Sequence, residues 1–171
     1  SDPSLHIQSD LSPYLHFGQI SPRLIARAVV AADACEEARE AFLEELIVRR
    51  ELAVNFVYYN RRYREYESLP GWALETLEEH RGDRREAAYA RADLESGNTD
   101  DPYWNAAMRE MRVTGKMHNY MRMYWGKRFI EWHSDPRDAY DTALSVNNKY
   151  FLDGRDANSY AGVAWCFGKH D

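Results

Sequence analysis

Cysteine is scarce in this sequence of 171 residues, which contains only two. Cys35 and Cys166 lie far apart and form no CxxC pair, which argues against a disulfide scaffold and favours a reducing, intracellular compartment. The six histidines show no paired metal-ligand spacing with cysteine or acidic residues, so we expect no metal. No signal peptide is recognised, and no apolar run approaches the roughly 20 residues that cross a bilayer, so we expect no membrane segment.

Alternating strand patterns, internal repeats and low-complexity tracts are also missing from the sequence. Helix start signals recur instead, because an oxygen-bearing residue precedes proline at four places. These are Ser12-Pro13, Ser21-Pro22, Asp101-Pro102 and Asp135-Pro136. The chain is long enough for one domain, and its 44% of hydrophobic residues can form a packed core. The sequence predicts an all-α fold.

Apolar residues at helical spacing place the predicted helices along the chain. One follows Ser21-Pro22, and the others cover residues 36–59, 72–77, 84–94, 101–113, 116–132 and 135–148. We expect Gly97 to end one helix and Gly115 to interrupt another, because glycine adopts the left-handed conformation of helix ends. A polar turn at residues 153–156 precedes an apolar segment at 160–167.

The net charge of −6 argues at first against a nucleic-acid partner. The charge is unevenly distributed, however. Residues 49–64 carry five Arg and one Glu, and residues 104–130 carry six Lys or Arg and one Glu, whereas residues 33–45 carry six acids and one Arg. Such basic segments suit a phosphate-binding face but are also typical of solvated helix surfaces, so charge alone does not establish a nucleic-acid partner.

Aromatic residues are abundant, with five Trp and twelve Tyr. Trp125 and Trp132 lie seven residues apart, hence on one face of a predicted helix and about 10.5 Å apart along its axis. Trp104 belongs to the preceding predicted helix, and the link between the two is short enough to let that helix fold back alongside. Such a row suits electron transfer between solvent and a buried cofactor, but the same spacing is typical of core packing.

Two polar groups of residues are candidate ligand sites. Asn119 and Arg122 share a helix face, and an Arg122 buried beside Trp needs an acidic or phosphate partner, for which Asp153 and Asp156 are both candidates. The hydroxyl-bearing residues at 8–12 precede a predicted helix and suit a phosphate group. Each pattern taken alone is equally typical of an ordinary helix surface or helix start.

Four motifs occur together and in order: LSPYLHFGQIS at 11–21, EELIVRREL at 44–52, KMHNYMRMYWGK at 116–127 and FLDGRDAN at 151–158. The set resembles the class II cyclobutane pyrimidine dimer photolyases and covers nearly the whole chain. The resemblance implies an all-helical FAD-binding domain of the photolyase/cryptochrome superfamily, truncated at both ends, with residues 1–171 forming most of it. The α/β antenna domain, its pigment and the C-terminal end of the helical domain would lie outside this sequence.

The resemblance also implies roles around FAD. Residues matching the family's cofactor contacts are Gln8, Ser9, Asp10, Leu11 and Ser12 at the phosphates, Asn119, Arg122, Asn147 and Asp153 near the flavin ring, and Asp156 and Asn158 nearby. Arg122 and Asp153 would form an ion pair. Asn147 would face flavin N5, with Asn158 as the alternative. His118 is expected to be a helix residue bordering the flavin site.

For DNA, the resemblance makes Glu45 the carboxylate that contacts the damaged bases and Trp165 an aromatic wall of the lesion pocket. Residues Arg49, Arg50, Lys116 and Asn119 would contact the DNA. Electrons would pass along Trp125, Trp104 and Trp132, in order from the flavin outward, with Tyr124 and Tyr89 as auxiliary members. Val48-Arg49-Arg50 stands where the better-known class I branch has a flat, lesion-contacting Trp, so a second pocket wall is in question.

The implied reaction is light-driven repair, in which an electron from reduced FAD splits a cyclobutane pyrimidine dimer in ultraviolet-damaged DNA. We expect an intact protein that is monomeric and acts in the cytoplasm or another compartment that holds DNA. A cryptochrome-like photoreceptor without repair activity is the alternative from another class. A third hypothesis is that the segment folds without retaining FAD. We expect such a segment to self-associate through its exposed apolar surface.

Overall fold

The computed structural model describes Leu5 and residues 7–169, and those residues contain helices and no strand. The all-α prediction is therefore confirmed. Bounds of the helices are α1 Ser12–His16, α2 Pro22–Val30, α3 Glu36–Leu43, α4 Arg50–Tyr59, α5 Gly71–Glu79, α6 Arg91–Ser96, α7 Pro102–Thr114, α8 Asn119–Trp132, α9 Pro136–Tyr150 and α10 Ala157–Cys166. Within the described ranges no helix is both long and apolar enough to cross a bilayer.

The two Asp-Pro sequences begin helices as predicted. Asp101 accepts hydrogen bonds from two backbone N–H groups at the start of α7, and Asp135 accepts one at the start of α9. The two serines behave differently. Ser21 precedes α2 without a side-chain cap, and Ser12 is already the first residue of α1, so the predicted hydroxyl caps are absent there.

The helix predicted over residues 36–59 has the expected ends but is not a uniform α-helix. A π-helical segment, Glu44–Arg49, lies between α3 and α4. Its wider turns change the direction in which the following side chains point, and such segments are frequent at functional sites. Glu45 and Arg49 both belong to it.

The helix predicted over residues 84–94 is wrong for its first seven residues, because α6 begins only at Arg91. Polar side chains of this segment bond to residues outside it. Arg85 donates to the carbonyls of His133 and His80, and the hydroxyl of Tyr89 bonds to Asp100. These tertiary bonds override the helix propensity of the alanines.

α8 begins at Asn119, three residues later than predicted, because Gly115 and the extended residues after it separate α7 from α8. Gly115 has φ +70°, and a Cβ there would lie 2.5 Å from Leu152 Cγ. His118 is the N-cap of α8, with Nδ1 accepting from the Tyr120 N–H at 3.1 Å. It therefore precedes the helix instead of lying in it.

The core lies where α10 packs against α4, α8 and α9, and where α7 packs against α8. Its largest fully buried side chains are Trp104, Trp125, Tyr140, Phe129, Leu94, Met108, Met111, Val146 and Asn147. The N-terminal helices contribute little, since Ile25 of α2 is the single buried residue of α1, α2 and α3. Large apolar side chains such as Ile7 and Leu24 are more than half exposed there.

Candidate functional site

Three cavities meet at Asn119 and Asn158. The central cavity has a volume of about 150 Å³ and lies between α8, α9 and α10. Its lining residues are Asn119, Arg122, Met123, Trp125, Gly126, Ala143, Asn147, Asn158, Gly162, Val163, Cys166 and Phe167. The N-terminal cavity, lined by residues 8–13 and the α7–α8 link, and the outer cavity, beside the π-helical segment, share both asparagines with it.

Arg122 is the centre of the polar network in the central cavity. Its Nη1 donates to both carboxylate oxygens of Asp153, at 3.1 and 3.2 Å. Nη2 donates to Asn147 Oδ1 at 2.9 Å and to Ser159 Oγ at 3.2 Å. The predicted Arg122–Asp153 contact is thus present, and the guanidinium also lies 3.8 Å from the centroid of the Phe151 ring.

The two candidate asparagines differ in what remains free on their side chains. Asn147 is 1% exposed; its Oδ1 accepts from Arg122, and its Nδ2 donates to Asn148 Oδ1 at 3.0 Å and Ser159 Oγ at 2.6 Å. Asn158 lines all three cavities, and no side-chain hydrogen bond of Asn158 is found among the described residues. Of the two, Asn158 is the one with amide groups available to a ligand.

Close helix packing forms the inner end of the central cavity. Gly126 of α8 faces Cys166 of α10, and a Cβ on Gly126 would lie 2.5 Å from the Cys166 Sγ. Burial raises the pKa of the Cys166 thiol to about 11, so this sulfur is neutral near pH 7. Trp125 is also in this wall, 1% exposed, and its indole N–H has no hydrogen-bond partner among the described residues.

The N-terminal cavity gathers the predicted phosphate-binding residues. Its lining residues are Gln8, Ser9, Asp10, Leu11, Ser12, Pro13, Glu45, Gly115, Lys116, Met117, Asn119, Arg122, Phe151, Asp153 and Asn158. Lys116 Nζ lies 3.2 Å from Asp10 Oδ1, and both side chains are partly exposed. Lys116 was predicted to contact DNA, whereas its position is among the residues predicted for the cofactor phosphates.

Asp156 is beside the N-terminal cavity without lining it. Its Oδ1 accepts from the Asn158 N–H and so caps α10, while Oδ2 lies 3.3 Å from His16 Nδ1 of α1. Asp153 is therefore the acidic partner of Arg122, and Asp156 ties α1 to the start of α10.

The outer cavity brings together most of the residues predicted to contact damaged DNA. Its lining residues are Glu45, Arg49, Leu52, Ala53, Phe56, Asn119, Met123, Asn158, Ala161, Gly162, Trp165 and Lys169. Arg49 lies over the Trp165 ring, 5.6 Å from its centroid, and Trp165 is 39% exposed. Arg50 does not line it and instead pairs with Glu51 at 3.5 Å.

Sequence reasoning did not single out two polar residues of the site. Ser159 bonds Asn147 and Arg122, and Lys169 lines the outer cavity with its Nζ 3.6 Å from the Phe56 centroid. Burial lowers the pKa of Lys169. The Asn-Ser dipeptide at the start of α10 was a visible signal for Ser159, but nothing in the sequence places Lys169 in the same cavity as Glu45.

The three predicted electron-transfer tryptophans form a continuous row. Trp104 stacks on Trp125 with centroids 6.4 Å apart and meets Trp132 edge-on at 5.1 Å. The Trp104 N–H donates to the Trp125 carbonyl at 3.1 Å. Trp132 then meets Tyr89 at 5.0 Å, and both line an open cavity at the surface. The row therefore runs from the central cavity to solvent.

Tyr124 lies beside this row. Its hydroxyl bonds to Asp101 through a short contact and accepts from Arg128 Nη2 at 2.9 Å. Burial and the Asp101 carboxylate raise the pKa of Tyr124.

No group of three or more His, Cys, Asp or Glu residues that could hold a metal is present in the part of the chain that the structure describes. His6 and His170 lie outside the described residues.

No protein-family model matches the chain, whereas curated proteins do. It is 57% identical over its full length to a deoxyribodipyrimidine photo-lyase of Methanothermobacter thermautotrophicus, of which it covers 38%. It is 48% identical to one of Oryza sativa over 95% of the chain, and 42% identical to one of Potorous tridactylus over 100%, covering 33% and 32% of them. The resemblance to photolyases is therefore confirmed across the chain, which spans about a third of the proteins that it matches.

Proposed function

We propose that the protein to which this chain belongs is a deoxyribodipyrimidine photo-lyase of class II that uses FAD and light to split cyclobutane pyrimidine dimers in DNA. The observation that carries the proposal is that three cavities meet at Asn119 and Asn158. The row of tryptophans begins at the wall of the central cavity, and the outer cavity is open and partly aromatic. Residues 1–171 would form most of the FAD-binding domain, with an α/β antenna domain elsewhere in the protein.

The cavities fit a bent, two-part cofactor. At about 150 Å³ the central cavity is smaller than the roughly 300–1,000 Å³ of typical cofactor pockets, so a dinucleotide needs the N-terminal cavity as well. The central cavity offers amide groups on Asn158 and Asn119, and apolar walls. This mixture of apolar surface and few polar groups suits a flavin ring.

Each part of the cofactor would be held by named residues. Arg122, fixed by Asp153 and Ser159, presents a rigid positive charge beside the ring position. Lys116 would exchange its partly exposed pairing with Asp10 for the diphosphate, since surface ion pairs are weak. Asn158 is favoured over Asn147 for the contact with flavin N5, because the amide of Asn147 is already bonded on both sides.

The outer cavity would receive the dimer after it leaves the base stack, which damaged bases do at reduced cost. Trp165 supplies a stacking surface, Glu45 a carboxyl for hydrogen bonding, and Arg49 and Lys169 positive charge. FAD, when bound, supplies light absorption and the electron that opens the dimer. Glu45 and Trp165 would have no use in a photoreceptor that only signals.

A paired substitution tests the lesion pocket. Glu45→Gln, assayed on a dimer-containing oligonucleotide under blue light, should lower the repair yield several-fold while leaving the flavin spectrum unchanged. Glu40→Gln on α3 is the matched control, because Glu40 is exposed and lines none of the three cavities. Equal yields from Glu45→Gln and the parent would overturn the assignment of Glu45 as a lesion contact.

A further inference from the structure

Asp101 connects two parts of the aromatic row. Its Oδ1 accepts from the backbone N–H groups of Tyr103 and Trp104, each at 3.0 Å, and so caps the helix that carries Trp104. Its Oδ2 is left for a short hydrogen bond from the Tyr124 phenol and a 3.2 Å contact with Arg128 Nε. One carboxylate thus positions Trp104 and binds the hydroxyl proton of Tyr124.

Arg128 links Tyr124 to the outer end of the row. The Arg128 guanidinium lies 5.0 Å from the centroid of the Tyr124 ring and 5.7 Å from that of Trp132. Both Arg128 hydrogen bonds to Tyr124 are donated to the phenolic oxygen, at 2.9 and 3.2 Å. Among the described residues, Asp101 is the acceptor available to the phenolic proton.

The environment keeps this acceptor ionised. Burial alone would raise the pKa of Asp101, but hydrogen bonds from Tyr124 and the Trp104 N–H, together with Arg128, outweigh it and hold the pKa below its usual value. A phenol that loses an electron becomes a strong acid, so its oxidation is easy only where a base already holds the proton.

We propose that Asp101 is the proton acceptor for oxidation of Tyr124. Tyr124 gives one electron to the Trp132 radical cation, which returns to neutral Trp132, and passes its phenolic proton to Asp101 Oδ2. The products are a neutral tyrosyl radical and a protonated carboxyl group, so charge and atoms balance. In the cell the Trp132 radical cation would come from the electron transfer of the proposed function, on which this inference rests.

The test generates the tryptophan radical without flavin. Azidyl radicals produced by pulse radiolysis oxidise tryptophan in the purified chain, and absorption then follows the tryptophan and tyrosyl radicals. Subtracting the Tyr124→Phe record removes the contribution of other aromatic residues. Asp101→Asn removes the base but keeps a good helix cap, and Asp135→Asn is the matched control at the other Asp-Pro helix start.

In the parent and in Asp135→Asn we expect tyrosyl absorption to rise as tryptophan absorption decays, more slowly in D₂O than in H₂O. In Asp101→Asn the rise should be at least about tenfold slower and lose its solvent isotope effect. An unchanged rate in Asp101→Asn, or no difference between the parent and Tyr124→Phe, would overturn the proposal. Failure of the proposed function appears separately, as absence of flavin binding or of dimer repair.

Discussion

Trp104 and Trp125 lie almost parallel, with ring planes 11° apart, and Trp104 is fully buried. Contact between successive rings continues through Trp132 to Tyr89. The three tryptophan rings also belong to the buried core between α7 and α8, so these positions serve packing as well as the proposed electron transfer.

Substituting the middle ring separates these two roles. Trp104→Phe should reduce the free energy of unfolding by about 1–3 kcal/mol, since it removes ring volume and the hydrogen bond to the Trp125 carbonyl. It should also abolish light-driven radical formation at Trp132 in flavin-loaded protein. Urea unfolding and transient absorption measure the two effects. The partly exposed Trp72 is off the row, so Trp72→Phe should preserve the radical signal, and loss of that signal in both variants would contradict the assignment.

The two asparagines give a second prediction. Asn158→Ala should alter the absorption and reduction potential of bound flavin with little change in stability, because its amide bonds to no side chain or carbonyl in the described part of the chain. Asn147→Ala should lower the free energy of unfolding by about 1–3 kcal/mol, since it leaves Arg122 Nη2 and Ser159 without that partner. Redox titration and thermal unfolding of both variants distinguish the roles. An unaltered flavin potential in Asn158→Ala would reject Asn158 as the N5 contact.

Two glycines in facing helices give opposite predictions. Gly126→Ala places a Cβ against Cys166 and should destabilise the fold by about 1–3 kcal/mol. Gly162→Ala meets no atom within 4 Å and should stabilise the helix by about 0.4–1 kcal/mol, yet it projects into the central and outer cavities and should weaken FAD binding. Melting temperature and FAD titration report the two effects. A change of melting temperature in the same direction in both variants would contradict this geometry.

Glu95 makes the free energy of unfolding depend on pH in the acid range. Lys149, Arg91 and Tyr150 hold the pKa of Glu95 at about 2, below its ordinary 4.5. The stabilisation is therefore complete above pH 4.5 and is lost as the pH falls from 4.5 towards 2. Glu95→Gln should cost about 1–2 kcal/mol at pH 7, after screening of the exposed cations, and almost nothing near pH 2. Urea unfolding at several pH values tests this, with the exposed Glu75→Gln as control; a constant difference between Glu95→Gln and the parent at all pH values would refute it.

Local sequence signals predicted much of the fold. Asp101 and Asp135 cap their helices as expected, and the ends of the 36–59 helix are those predicted. No local sequence signal indicated the π-helical segment Glu44–Arg49. The helix predicted before Arg91 is absent because Arg85 makes a tertiary hydrogen bond to the His133 carbonyl. Helix propensity takes no account of such long-range bonds.

The candidate site was predicted as a set of residues more successfully than as a set of contacts. The motifs identified Arg122 and Asp153, and their ion pair is present. Asn147 is less available to a ligand than Asn158 because its amide donates to the Ser159 hydroxyl. This hydrogen bond exists only because α9 packs against α10, so the sequence alone did not predict it. Lys116 lies near Asp10, after the turn at Gly115, and this proximity could not be predicted from its sequence position alone.

The most direct test of the proposed function is the absorption spectrum of the purified chain after incubation with FAD and removal of free flavin. We expect structured flavin bands that co-elute with the protein and are weakened in Gly162→Ala. A folded, colourless protein would contradict the claim that the central and N-terminal cavities of these residues hold the cofactor.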